Sequence, residues 1–240
     1  MNPHFDTDNM VFHFRYTFQN GTIKEFRLEL DRKTLNLVHP PKPVTAPQWA
    51  ELRYFQCPNC VLDADRHPFC PIALNLVDLI AAFKDSISYE EVEVMITTEA
   101  RTYLKRTSLQ KGLSSLLGIY MTTSGCPTME KLKPMVQYHL PFATKEETLY
   151  RVITMYLFAQ YFVSKRGGQP DWDLHHLVNL YREIKILNKR FSERLSQIGL
   201  KDASLNALTI LDWFAENLTF SLDKDILDDI ESFFDVYWTA

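Results

Sequence analysis

The sequence predicts an α+β fold, a small antiparallel sheet with covering helices followed by a mainly antiparallel helical bundle. Three observations lead there. Two alternating apolar–polar runs near the start flank an Asn-Gly pair. A second pair of short alternating runs lies near residues 92–106. From Ser108 onward the apolar residues recur at helical spacing.

Val11 to Phe18 (VFHFRYTF) and Thr22 to Leu30 (TIKEFRLEL) alternate with period two, and Asn20-Gly21 joins them. Both linking residues tolerate positive φ, so the unit reads as a β-hairpin. Asp31 to Lys33 reads as a turn and Thr34 to Val38 as a third strand. Pro40, Pro41, Pro43 and Pro47 then mark an extended connector. Pro71 to Phe83 carries helical periodicity and is expected to cover the sheet. Val92 to Thr98 and Thr102 to Arg106 supply the second strand pair.

In the second half, Leu113, Leu116, Leu117 and Tyr120 define a helix over 109–122, which Gly125 can close in a left-handed cap. Thr144-Lys-Glu-Glu147 is a capping box that opens a helix to about Lys165, ended by Gly167-Gly168. Pro170 and Asp171 precede a long helix ending near Gly199. A further helix begins at Asp202 or Ser204 and runs to about Asn217, and Ser221 is read as the cap of a last, acidic one. Its charges, Asp223, Asp225, Asp228, Asp229, Glu231 and Asp235 against Lys224, read first as a solvated face and second as a surface for a protein partner. The organisation expected is an α+β part over residues 1–107 and a helical bundle over 108–240, packed as one unit.

Composition narrows the function classes. A formal charge of −4 and a pI near 6.0 argue against nucleic acid as a partner. Residues 1–10 are polar and do not resemble an export signal, and no run of about 18 apolar residues is present to span a membrane. The expectation is a cytoplasmic protein, where thiols stay reduced.

In that setting the four cysteines, Cys57, Cys60, Cys70 and Cys126, point to metal chemistry. Cys57-Pro58-Asn59-Cys60 is a C-x2-C pair, whose tight turn lets two sulfurs converge on one ion. Cys70 and Cys126 are single, but each is followed by a proline and a helical segment. Proline favours the first helical position, so both cysteines are expected at helix N-caps, where the positive helix end favours thiolate. The set is read as a structural four-cysteine site with zinc favoured. An iron–sulfur cluster is the alternative, since soft thiolates suit both and Cys-Pro also ends ferredoxin motifs. His67 is a possible replacement ligand. Inert buried thiols and a redox pair remain the non-metal readings.

Evidence for catalysis in the sequence is thinner. His139, Glu147 and Arg151 surround the capping box and suggest a polar pocket, but no nucleophile–base pair is evident in the sequence. Paired His175 and His176 face different sides of a helix. No phosphate loop, G-x-S-x-G or H-E-x-x-H motif occurs.

The segments QCPNC (56–60), CPIALNL (70–76), LQKGLSSLLGIYMTTSGCP (109–127) and MVQYHLPFATKEETLYR (135–151) resemble an uncharacterised bacterial family of unknown function over nearly the whole chain. The resemblance implies a single unit with the cysteine segments and the SGCP segment in one site. It implies no activity, substrate or partner.

Overall fold

The computed structural model describes residues 8–40, 46–199, 201–222 and 231–238. Two hairpins make one antiparallel sheet. Strands β1 (Asn9–Phe18) and β2 (Ile23–Asp31) form the first, and β3 (Glu91–Thr97) and β4 (Thr102–Ser108) the second. The order across the sheet is β2-β1-β3-β4. The central pairing sets Phe14 against Ile96 and Tyr16 against Val94. Strict alternation places Met10, Phe12, Phe14, Tyr16 and Phe18 on the covered face. A one-residue slip would turn that whole set to solvent, so the apolar pattern specifies the register.

Helix α1 (Pro71–Phe83) contributes Ile72, Leu76, Leu79, Ile80 and Phe83 to the core. Helix α2 (Leu109–Thr122) follows β4 without a linker and contributes Leu113, Leu116 and Leu117. Gly112 allows a close approach to the sheet. A Cβ there would lie 2.8 Å from Val94 Cγ2, and its carbonyl accepts a hydrogen bond from the Tyr16 hydroxyl at 3.2 Å.

Two short helices, α3 (Pro127–Glu130) and α4 (Lys133–Gln137), lead to α5 (Lys145–Lys165), α6 (His175–Ser196) and α7 (Ala203–Leu222). Helix α7 packs along α6 and α2. The capping box of α5 is formed as expected: Thr144 Oγ1 accepts from Glu147 N–H at 3.2 Å, and Glu147 Oε2 accepts from Thr144 N–H at 2.7 Å. Helix α5 buries Leu149, Val152 and Ile153 near its start and leaves Phe158, Tyr161 and Phe162 largely exposed further along. The start of α6 is capped from a distance, with the Asp171 carboxylate accepting from His175 and His176 N–H. The hydrophobic core is continuous from Met10 in β1 to Ala215 in α7.

Two expectations are corrected. Residues 34–38 make only a single bridge, Leu30 to Leu37, because Leu35 turns into the left-handed region at φ 56° and breaks the extended run. The helix expected to stop near Asn217 continues to Leu222, with no glycine or proline there to end it, so Ser221 lies inside it. The acidic positions 223–230 fall outside the described residues. Among the described residues no helix is long and apolar enough to cross a membrane.

Candidate metal centre

Cys57, Cys60, Cys70 and Cys126 all line one cavity of about 30 Å3. None is in a disulfide. Three separate chain segments bring them there. Cys60 N–H donates to Cys57 O at 3.0 Å, closing the turn that carries the C-x2-C pair. Cys70 is the N-cap of α1, with Pro71 at the first helical position. Cys126 is the N-cap of α3, with Pro127 in the equivalent place.

Backbone pairing fixes the approach of these segments. Leu52 N–H donates to Pro68 O and Cys70 N–H to Ala50 O, each at 2.8 Å, so residues 50–52 and 68–70 run side by side. Gly125, at φ +87°, turns the chain out of α2 toward Cys126. Its side-chain-free backbone adopts that conformation without the penalty a Cβ would bring.

Helix α6 forms the far wall through Leu187, Phe191 and Arg194. Arg194 is 1% exposed. Its guanidinium donates to Trp49 O at 2.6 Å, Glu51 O at 2.7 Å and Leu52 O at 3.4 Å. All three acceptors are neutral carbonyls, and the ionisable groups that favour its charge are Cys70, Cys57 and Tyr54. Arg190 donates to Gln56 O at 3.2 Å and lies over the Phe55 ring. Asn59 donates to Glu183 O at 3.0 Å. One face of α6 thus grips the whole segment that carries the cysteine turn.

An apolar setting favours the neutral thiol at Cys57, Cys70 and Cys126. Burial pushes the Cys57 thiol up to about 12, and the neighbouring Cys70, Cys60 and Cys126 add to the shift. Burial also raises Cys70 and Cys126. The first-turn amides of Ile72 and Ala73, and of Thr128 and Met129, oppose that rise at each helix start. Raised thiols are poor nucleophiles and poor redox groups without a cation to stabilise the thiolate. The donor set suits a soft or borderline dication. Among the described residues no group of three or more His, Cys, Asp or Glu is already spaced to hold a metal ion. Coordination would need the four sulfurs drawn closer together.

The other candidates separate. His67 is exposed and does not line the cysteine cavity. His175 and His176 are exposed beside Asp171. His139 and Arg151 line a second, larger cavity, while Glu147 is held in the capping box. Burial pushes His139 down to about 3, and the Arg151 charge adds to this. His139 Nε2 lies 2.8 Å from Ser115 Oγ, a pairing that the sequence separation of 24 residues conceals.

Arg194 is the member of the cysteine site that motif reading misses. Its signal is periodicity: Leu180, Ile184, Leu187, Phe191 and Leu195 form the apolar stripe of α6, and Arg194 falls within it. A charged residue on a buried stripe calls for a partner inside.

Comparison with curated proteins and with solved structures finds no match. A family model does match, over residues 12–235, and the chain therefore belongs to the domain of unknown function DUF6901.

Proposed function

We propose that this chain is a non-catalytic metal protein in which Cys57, Cys60, Cys70 and Cys126 bind one zinc ion. The carrying observation is that four cysteines from three segments line one small cavity against a buried arginine. Four thiolates around a dication carry net negative charge. Arg194, whose hydrogen bonds all end on neutral carbonyls, supplies a compensating positive charge. Closed four-sulfur sites leave no open coordination position, which suits a structural role. The ion would join the cysteine turn, the start of α1 and the start of α3, fastening the N-terminal part to the helical part.

Size favours a single ion over a cluster. A cavity of about 30 Å3 has room for little more than one or two water-sized bodies. An iron–sulfur cluster, with several iron and sulfide atoms, would need the segments to move apart. The reading extends to a bacterial, cytoplasmic protein whose cysteine motifs are a family feature. Four cysteines outside any disulfide suit a reducing compartment.

Cobalt substitution tests the reading. Addition of Co(II) to chelator-treated protein should produce the visible ligand-field bands and thiolate charge-transfer absorption of a tetrahedral four-sulfur site, saturating at one equivalent. Octahedral, nearly colourless cobalt would contradict it. Brown protein as purified, with broad visible absorption, would support the iron–sulfur alternative instead.

A further inference from the structure

Away from the cysteines, helices α2, α6 and α7 line an open-mouthed cavity of about 200 Å3, which residues 129–151 help to wall. Its walls are mainly apolar, including Ile119, Met129, Val136 and Ile184. Within them sits Asn188, 2% exposed, whose Oδ1 has no hydrogen-bond partner. A buried amide oxygen left unpaired is costly, and folded proteins rarely keep one without a purpose. Gly118, in the middle of α2, also lines the cavity, with open space where a Cβ would stand. Glycine in a helix interior is itself unfavourable, and here it leaves the cavity its room.

We propose that this cavity binds a compact, neutral, mainly apolar molecule that donates one hydrogen bond to Asn188 Oδ1. The orphan group is an acceptor, so it selects a donor and disfavours a carboxylate. The Arg151 guanidinium at the cavity edge is engaged by the carbonyls of Met135 and Tyr138 at 2.9 and 2.8 Å. Ser115 and His139 are engaged with each other. An apolar cavity of about 150 Å3 accommodates a single benzene ring, so about 200 Å3 suits a small bicyclic ring or an equivalent aliphatic body. No residue lines both this cavity and the cysteine cavity.

Indole is a fitting probe, and benzothiophene is a similar shape without the N–H donor. Titration of the full-length protein, followed by amide chemical shifts, should show saturable indole binding with a Kd on the order of 1 mM or tighter. Asn188→Leu keeps the branched shape of the side chain, in a somewhat larger volume, and removes the orphan acceptor, so it should fold. It should shift the indole-to-benzothiophene preference toward benzothiophene by at least about tenfold. Gly118→Leu should fill the cavity and abolish binding of both. The proposal is overturned if neither probe saturates, if the preference is unchanged in Asn188→Leu, or if a folded Gly118→Leu binds indole as the parent does.

Discussion

Cys70 and Cys126 share one backbone conformation, φ −70° and ψ 121° at the first and φ −69° and ψ 122° at the second, each just ahead of a proline that opens a helix. The two are far apart in sequence yet line the same cavity from matching backbone positions. If both are zinc ligands, loss of either is equivalent. Cys70→Ser and Cys126→Ser should each lower bound metal well below one equivalent. Each should also lose several kcal/mol of stability, because binding free energy is linked to folding. Metal content with urea denaturation checks this. A Cys126→Ser protein with full metal and unchanged stability removes Cys126 from the site.

Binding should also depend steeply on pH. In the folded, metal-free chain burial raises the Cys57, Cys70 and Cys126 thiols above the usual range, Cys57 up to about 12. Zinc must displace protons at neutral pH, and affinity should fall by more than about tenfold for each pH unit lowered. Competition with a chromophoric chelator at pH 6 and pH 8 measures the slope. A pH-independent affinity contradicts thiol ligation.

Arg194 should be far less replaceable than its charge alone implies. Arg194→Met removes three hydrogen bonds and leaves the carbonyls of Trp49, Glu51 and Leu52 to find new donors in the interior. The expected loss is about 3–5 kcal/mol. Arg194→Lys should recover only part of it, since an ammonium cannot fork toward several carbonyls as a guanidinium does. Urea midpoints of the three proteins give the comparison. The Lys variant matching the parent would mean that charge alone suffices.

Two glycines of α2 should respond oppositely to alanine. At Gly118 the new methyl meets nothing within 4 Å, and Gly118→Ala should stabilise by about 1 kcal/mol. At Gly112 it would meet Val94 Cγ2 at 2.8 Å and Tyr16 Cε1 at 3.2 Å, and Gly112→Ala should destabilise by about 1–3 kcal/mol. Equal effects at the two sites would show that helix propensity, and not packing against the sheet, dominates.

His139 should make the fold acid-sensitive. Its folded value is pushed down to about 3 from the ordinary 6.5, so between these values the unfolded chain binds the extra proton. The stabilising effect is fully present above about pH 6.5 and is lost as pH falls toward 3. Between pH 6.5 and 5 the loss from this group is at most about 2 kcal/mol. His139→Gln should flatten that part of the stability profile. An unchanged slope assigns the acid sensitivity to other groups.

Much of this architecture is visible in local pattern. Alternation over 11–18 and 22–30, the Asn-Gly turn, the capping box at Thr144 and the Cys-Pro helix starts are all encoded within a few residues. The strand expected at 34–38 fails because Leu35 adopts a positive φ that no short-range pattern announces. The Arg194 and Ser115 assignments depend on contacts across 24 to 145 residues, which spacing alone cannot supply. For Arg194 and Asn188 a partial signal does exist, a polar residue on the apolar stripe of α6. Ser115 carries no comparable mark.

The central claim rests on the four cysteines acting together on one ion. Elemental analysis of protein purified without chelator and without air, paired with thiol titration of the folded chain, tests it most directly. The expected result is one zinc per chain, with the four thiols protected from a thiol reagent until a strong chelator is added. Protein free of metal, with the thiols reacting alike before and after chelator, would contradict it.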